Sequence, residues 1–414
     1  MRYLFSSLSF FLFTTIVFAQ NNFDVNQLRN DVEYLASDDL EGRETGKSGE
    51  DKAAEYIIKR FEALGVEPLG EEGFFQTFSF KPKPHPHASE KEMEAVEPVM
   101  GKNVIGFINN GAENTIVIGA HYDHLGEGTK LEGSLYAGKE PMVHNGADDN
   151  ASGVAVMLAL AEKLRSREDL NNNNYLFIGF SGEEKGLFGS NYFTKHPTVE
   201  IESINYMINM DMVGRFDEAK GLAINGTGTS PVWDDRIEKV NKTGIKIISD
   251  EGGIGPSDHT SFYLQNIPVL HFFTGQHEDY HKPTDDVEKV NFEGMAVVGD
   301  FILNLISSLN WEGKLAFTKT QQKDSQKAPK FSVTLGVMPD YMFDGEGMRI
   351  DGIIDDRPAQ KAGLQKGDVV TKMGDVNVEG MRGYMEALSK FQKGDKAKIE
   401  VIREGKKETF TVQF

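Results

Sequence analysis

Apolar positions recur along the chain with two periods. Residues 26–37 and 48–64 place them three or four apart, the spacing of a helix with one buried face. The second stretch stops at Gly65, a residue suited to the left-handed turn that closes a helix. From residue 103 onward, short apolar runs alternate with further helical periods. The runs cover 103–108, 115–119, 175–180, 204–210, 221–225, 245–249 and 268–273; the helical periods cover 152–166, 187–194, 231–241, 258–265 and 292–309. This alternation predicts an α/β fold, a mostly parallel mixed sheet sandwiched by helices.

The remaining pattern divides the chain. Residues 81–87 read Lys-Pro-Lys-Pro-His-Pro-His and precede an acidic patch, so 73–98 is expected to be a proline-rich loop in which His85 and His87 are solvated. Residues 311–330 are polar without an apolar period and read as a linker. Strand-like runs return from 331 to 414 with one helix at 381–391, a small second α+β module.

At the N-terminus Arg2 is the only charge before Asp24, an apolar run extends from 4 to 18, and Val17-Phe18-Ala19 offers a cleavage site. Residues 1–19 are therefore expected to be a signal peptide and 20–310 the first domain. No later segment reads as apolar enough to cross a bilayer, so no membrane span is expected after cleavage. The expected location is outside the cytoplasm, periplasmic or secreted. Exported proteins often carry disulfides, yet the 414 residues include no cysteine, which leaves a large core and bound metal to stabilise the fold. The net charge is −20, and residues 331–414 carry 13 basic and 14 acidic side chains, so nearly all of the excess lies upstream. Such a surface repels nucleic acid and favours cationic partners, including free α-amines and metal ions.

Candidate chemistry gathers just after the apolar runs. At 146–153 the chain reads G-A-D-D-N-A-S-G, with Asp148 and Asp149 between small residues before a helical period. Aspartate suits the turn entering a helix, where its carboxylate is free to face a cleft. The run at 115–119 leads into Ala-His-Tyr-Asp-His, which puts His121 at the C-terminal edge of the sheet, where ligands bind in open α/β folds. Asp123, two residues on, could accept the other ring N–H. The run at 175–180 leads into Ser-Gly-Glu-Glu-Lys-Gly; adjacent glutamates point apart, so one can bind metal while the other acts as a base. Asp211 follows 204–210 and is costly to leave unpaired. Tyr280 and His281 follow 268–273, His281 as a further ligand and Tyr280 as a donor to a developing oxyanion. Each position alone has a structural explanation, a satisfied core histidine or a helix-start acid, but the ordered set asks for a common cause. His124 and His144 read equally well as partners of ligands or as surface residues. Ser257-Asp258-His259 are consecutive and cannot form a nucleophilic triad; a pocket-lining helix start fits them better.

These motifs, A-H-Y-D-H-L-G, G-A-D-D-N-A-S-G, S-G-E-E-K-G, N-M-D-M-V-G, P-S-D-H-T-S-F and Y-H-K-P-T-D-D, make residues 20–309 resemble the M28 family of dizinc exopeptidases, which includes secreted bacterial aminopeptidases. The resemblance implies two Zn2+ per chain, with Co2+ or Mn2+ as substitutes. His121 and Asp211 would be terminal ligands of one ion, Glu184 and His281 of the other, and Asp149 the bridge. It further implies a water between the metals as nucleophile, Glu183 as general base, Asp123 as the acid that orients His121, Tyr280 as an oxyanion partner, and a cis peptide at Asp149–Asn150. The implied substrates are peptides with a free N-terminus. Residues 331–414, above all 358–370, resemble a bacterial PDZ domain, which implies capture of a peptide C-terminus near residues 335–337, with a packing role as the alternative. Two other functions are compatible with these motifs: another exopeptidase specificity or a glutaminyl cyclase, and a peptide-binding protein using the PDZ module on a peptidase scaffold. The complete ligand set favours the aminopeptidase.

Overall fold

The computed structural model describes residues 23–82, 94–128, 133–138, 140–320, 333–340, 343, 345–354 and 357–414. The expected signal peptide, His85, His87 and residues 321–330 lie outside them.

Helices α1 (Val25–Leu35) and α2 (Ser48–Leu64) open the described chain. Asp24 caps α1 by accepting the backbone N–H groups of Asn26 and Gln27, and α2 closes at Gly65 with φ 68°, as its sequence predicts. Strands β1 (Glu67–Pro68) and β2 (Phe75–Phe80) follow. The second corrects the reading of 73–98 as a loop. Gln76, Phe78 and Phe80 are buried at every second position, a period that the adjoining Lys-Pro repeat obscured.

The chain continues through β3 (Val99–Ile108), β4 (Thr115–His121), α3 (Gly153–Arg165), β5 (Asn174–Phe180), α4 (Phe188–Lys195), β6 (Ile204–Met210), β7 (Leu222–Asn225), α5 (Trp233–Val240), β8 (Ile247–Asp250), α6 (His259–Tyr263), β9 (Val269–Phe273) and α7 (Phe292–Leu309). The nine strands form one mixed sheet in the order β1-β3-β5-β4-β6-β9-β7-β8, with β2 also paired to β3. Its centre, β5-β4-β6-β9, is parallel, while β3 and β7 join that centre antiparallel. Helices α1, α2, α3, α5 and α7 cover one face, and α4 and α6 the other. Every residue of β4, β5 and β6 is buried, the expected state of strands covered on both faces. Parallel central strands end along one edge, so the segments after β4, β5, β6 and β9 meet there.

Helix α7 overturns the expectation that no later segment could span a membrane by length and composition. Among the described residues it meets that test, yet 67% of it is buried in the fold, against α1, α3 and α5, which accounts for its apolar character. The chain beyond α7 is not free. Leu315 is 6% exposed and donates its N–H to Asn205, Thr318 donates to the carbonyl of Thr229, Phe317 packs on Tyr263, and the Thr320 hydroxyl lies 2.9 Å from that of Tyr263. The first half of the stretch read as linker is thus docked on the first sheet; its apolar contacts come from only two side chains, too few to show a period.

The second module contains β10 (Val337–Pro339), β11 (Met348–Ile353), α8 (Pro358–Ala362), β12 (Val369–Met373), β13 (Val376–Asn377), α9 (Met381–Leu388), β14 (Lys396–Arg403) and β15 (Lys406–Gln413). Its antiparallel sheet runs β10-β11-β12-β14-β15, with β13 on β12, over a separate core that includes Leu335, Ile350, Val370, Ile399 and Val412. β10 pairs with β11 alone among the described strands, leaving its other edge open. Gly336, with φ 72°, precedes it and lies against the Arg357 side chain, where no Cβ would fit.

Candidate metal centre and active site

Asp149 lies on the turn that enters α3, and its peptide bond to Asn150 is cis. Two sets of hydrogen bonds hold this turn. On one side Asp285 Oδ2 accepts the backbone N–H groups of Asp148 and Asp149 at 2.9 and 3.1 Å, while Asp285 Oδ1 pairs with Arg215 at 3.1 Å. On the other, the segment after β6 is stitched to the turn. Gly214 N–H donates to Asp148 Oδ1, Val213 N–H to Ser152 Oγ and Met212 N–H to Asn150 Oδ1, and Asn150 Nδ2 donates to the Met210 carbonyl. The carboxylates of Asp149 and Asp211 therefore share one frame.

The two oxygens of Asp149 face different imidazoles. Oδ1 is 3.3 Å from His121 Nε2, and Oδ2 is 3.3 Å from His281 Nε2. His121 Nε2 is also 3.3 Å from Asp211 Oδ1, and His281 Nε2 is 3.3 Å from Glu184 Oε2. All four separations exceed the usual N–H···O range of roughly 2.7–3.2 Å. They match the spacing of about 3.3 Å between two ligand atoms that each lie about 2.0–2.1 Å from a tetrahedral zinc. The result is two trios, each with one imidazole nitrogen and two carboxylate oxygens, joined at Asp149. These are the five residues the sequence singled out as ligands, and their nitrogen and oxygen donors suit zinc, with cobalt or manganese as close substitutes.

The electrostatics favour positive charge at the same place. Burial would push His121 down, but Glu183, Asp211 and Asp149 outweigh it and raise the imidazole well above its usual range; Glu184 and Asp149 do the same for His281. Burial would raise both carboxylates, yet His121 and His281 hold Asp149 well below its usual range, and His281 and His124 bring Glu184 to about 2. Glu183 behaves oppositely. Burial, opposed by His121 and reinforced by Glu184, Asp211 and Asp258, raises it well above an ordinary carboxylate, so its surroundings favour the proton-bearing form.

Asp123 lies where expected but acts differently. His121 Nδ1 is 3.2 Å from the Asp123 backbone carbonyl and 3.8 Å from its carboxylate, which is taken by nearer donors: the Glu183 N–H at 3.1 Å and the Thr45 hydroxyl at 2.8 Å. The orienting acceptor for His121 is therefore a carbonyl, and the acid anchors the backbone of Glu183 instead. Tyr280 stacks on His281 with centroids 3.8 Å apart. Burial and the charges of Asp149, Glu184 and Glu183 raise its phenol well above the usual range, so it remains a donor.

Ser257, Asp258 and His259 form no triad. Ser257 Oγ accepts from Asn209, the His259 ring stacks on His271 with both nitrogens unpartnered, and neither oxygen of the fully buried Asp258 has a well-formed hydrogen bond. Burial, with Asp123 and Asp211 nearby, raises Asp258 to about 7. His144 is buried between Ser134 Oγ and the Met142 carbonyl, each at 2.8 Å.

Three residues at the site were not legible as functional. His124, left open between two readings, is fully buried with Nδ1 2.7 Å from Glu184 Oε1. Arg43 is buried with its guanidinium donating to the carbonyls of Leu35, Tyr122, Asn145 and Gly146, which ties the end of β4 to the approach to Asp149. Asp285 supports that same turn. His124 lies inside the motif A-H-Y-D-H-L-G and Asp285 inside Y-H-K-P-T-D-D, whereas Arg43 lies in none of the motifs.

Residues 103–306 match the model for peptidase family M28, and residues 319–414 match that for a PDZ domain. Aminopeptidase YwaD of Bacillus subtilis is 31% identical over 189 residues, covering 43% of this chain and 41% of that protein. The chain spans about half the length of the curated relatives it matches. Among solved structures, a zinc aminopeptidase from B. subtilis superposes with TM-score 0.54 at 18% identity, over 72% of this chain and 97% of its own. A glutaminyl cyclase from Porphyromonas gingivalis does so with TM-score 0.55 at 18% identity, over 70% and 99%. These likenesses establish the fold.

Proposed function

Residues 103–306 belong to peptidase family M28 and residues 319–414 form a PDZ domain, and from that premise we propose that the chain is a zinc-dependent exopeptidase, an aminopeptidase that releases N-terminal residues from peptides. The observation that carries the reading is the pair of trios on Asp149, which would hold two ions: His121 and Asp211 at one, Glu184 and His281 at the other. When bound, zinc at such a site supplies Lewis acidity and lowers the pKa of water.

The chain's own residues divide the remaining work. Glu183, fixed through its N–H by Asp123, would take the proton of the attacking water and return it to the leaving amine. Tyr280 would donate its phenolic hydrogen to the oxyanion. The carboxylates lining the site would hold the protonated α-amine of the substrate, so a blocked N-terminus should bind poorly. The open edge of β10 beside Gly336 would receive an extended peptide C-terminus. We read residues 1–19 as a leader and the mature protein as exported, periplasmic or secreted, which N-terminal sequencing of protein recovered outside the cytoplasm would check.

The test joins elemental analysis of purified protein with hydrolysis of aminoacyl-nitroanilides and their N-acetylated forms, with and without chelator. Two zincs per chain, with activity lost on chelation and absent on blocked substrates, are expected. Metal without that activity, or turnover of N-terminal glutaminyl peptides to a cyclised product, would replace the aminopeptidase reading with another M28-type activity. No metal would leave the peptide-binding role.

A further inference from the structure

We propose that His124 is a positioning residue that makes the two metal positions unequal by holding Glu184 to a single coordinating oxygen; the inference rests on the two-metal reading above. The trios match in donor type: one imidazole, one terminal carboxylate and one oxygen of Asp149. They differ in what stands behind the terminal carboxylate. His124 Nδ1 lies 2.7 Å from Glu184 Oε1. An ionised carboxylate only accepts, so Nδ1 carries the hydrogen and donates it. That engages Oε1 and leaves Oε2, 3.3 Å from His281 Nε2, as the oxygen aimed into its trio.

The packing fixes this geometry. His124 is fully buried, its backbone N–H donates to the Arg43 carbonyl at 3.0 Å, and its ring lies flat on Gly146, where a Cβ would come within 2.6 Å of Cδ2. Nδ1 is 4.0 Å from Asp149 Oδ2, close enough for His124, Asp149 and Glu184 to form a group that could hold an ion, but its 2.7 Å separation from Oε1 is hydrogen-bond distance, shorter than the 3.3 Å spacing between His281 and Glu184. Asp211 has no such partner. Among the described residues only His121 hydrogen-bonds its carboxylate, which is 15% exposed against 6% for that of Glu184. Asp211 is therefore free to turn both oxygens to an ion, and Glu184 is not. An ion held by Glu184 and His281 would then take a single oxygen from Glu184, which would leave it the more open to a substrate oxygen.

The residue can be changed with little harm to the fold. His124 Nε2 is buried without a partner, so an apolar side chain of similar size loses one hydrogen bond and removes an unmet one. The experiment titrates the metal-free full chain with zinc against a chromophoric chelator, and with cobalt(II) while following its visible d–d bands. The wild type should bind two ions with resolved affinities. In His124→Leu one dissociation constant should rise about 10–100-fold, the usual effect of losing an outer partner of a ligand. The other should stay put, and the bands of the affected position should weaken as Glu184 chelates. His124→Asn, whose amide nitrogen stands at the same distance along the side chain as Nδ1 and can donate to Glu184, should recover most of the loss. Thermal unfolding of the metal-free variants reports on the fold; if the leucine variant fails to fold, His124→Met, which has no hydrogen to donate to Glu184, carries the same expectation. Unchanged constants and bands, or an equal loss at both positions, overturn the proposal. A wild type that binds fewer than two ions overturns the two-metal reading itself, and this inference with it.

Discussion

Asp285 Oδ2 accepts the backbone N–H of Asp149 at 3.1 Å, so one fully buried carboxylate fixes the chain at the residue whose own carboxylate faces two imidazoles. Asp285→Ala would orphan the N–H groups of Asp148 and Asp149 and leave Arg215 short of a partner. Each buried group left unmade costs about 1–3 kcal/mol. Urea unfolding should therefore show a loss on the order of 3–5 kcal/mol, with weaker metal retention. Asp285→Asn keeps an acceptor for the N–H groups and should lose less. An alanine variant as stable as the wild type would show that the turn holds itself.

The shared carboxylate predicts a difference in stoichiometry. Asp149→Ala removes an oxygen from both trios and should abolish retention of both ions, whereas Asp211→Ala or Glu184→Ala should spare one. Inductively coupled plasma analysis after gel filtration reads the ratio directly. Equal metal content in the Asp149 and Asp211 variants would argue against Asp149 as the bridge.

Glu183 faces the site but belongs to neither trio. Glu183→Gln should keep both ions and lower kcat by about 10²–10⁴-fold or more, the share of general-base catalysis. Near-normal turnover would remove it from the role of base.

Glu50 gives a pH prediction remote from the ligands. Its carboxyl lies between the Gly46 N–H at 2.6 Å and the Ser181 hydroxyl at 2.5 Å, and burial, with Asp123 nearby, raises it from 4.5 to about 8. The folded chain thus keeps a proton that the unfolded chain releases above pH 4.5, so this group lowers stability progressively from about pH 4.5 to pH 8. Glutamine places a donor toward Ser181 and an acceptor toward Gly46, as the protonated acid does. Glu50→Gln should match the wild type near pH 4 and exceed it by a few kcal/mol, on the order of 1–4, at pH 8. Parallel denaturant curves across that range would refute the assignment.

The docked segment after α7 makes a prediction about where the first fold ends. Leu315→Ala should cost about 2–4 kcal/mol as a buried large-to-small change, and a chain ending after residue 320 should be measurably more stable than one ending after 310. Identical melting of the two truncations would return 311–320 to the status of a tether.

Much of this was legible because the chemistry sits where periodicity changes. His121 ends a buried strand, Glu184 and Asp211 each follow one, and parallel strands must deliver their ends to one edge, so order along the chain became proximity in space. What stayed hidden was set by contacts rather than pattern. Nothing in the triplet at 121–123 says that the carboxylate of Asp123 turns to Glu183 and its carbonyl to His121; the placement of the donors in the folded site decides it. Arg43 looks like a surface polar residue in a string of letters and His124 reads equally well as a surface residue or as a ligand's partner, and only burial assigns them. β2 was masked by a neighbouring proline repeat, and α7 reads as more lipid-like than it is because five helices share its face of the sheet.

The hydrogen bonds that join the Asp149 turn to the segment 210–214 run through backbone groups and through Asp148, Asn150 and Ser152, and use none of the oxygens that face the imidazoles. The cavity is thereby cast independently of its contents. Exchange of one ion for another should then be limited by how fast the ion sheds its water and enters, with no refolding phase in the trace, and protein stripped of metal should remain recoverable through repeated cycles of loss and refilling.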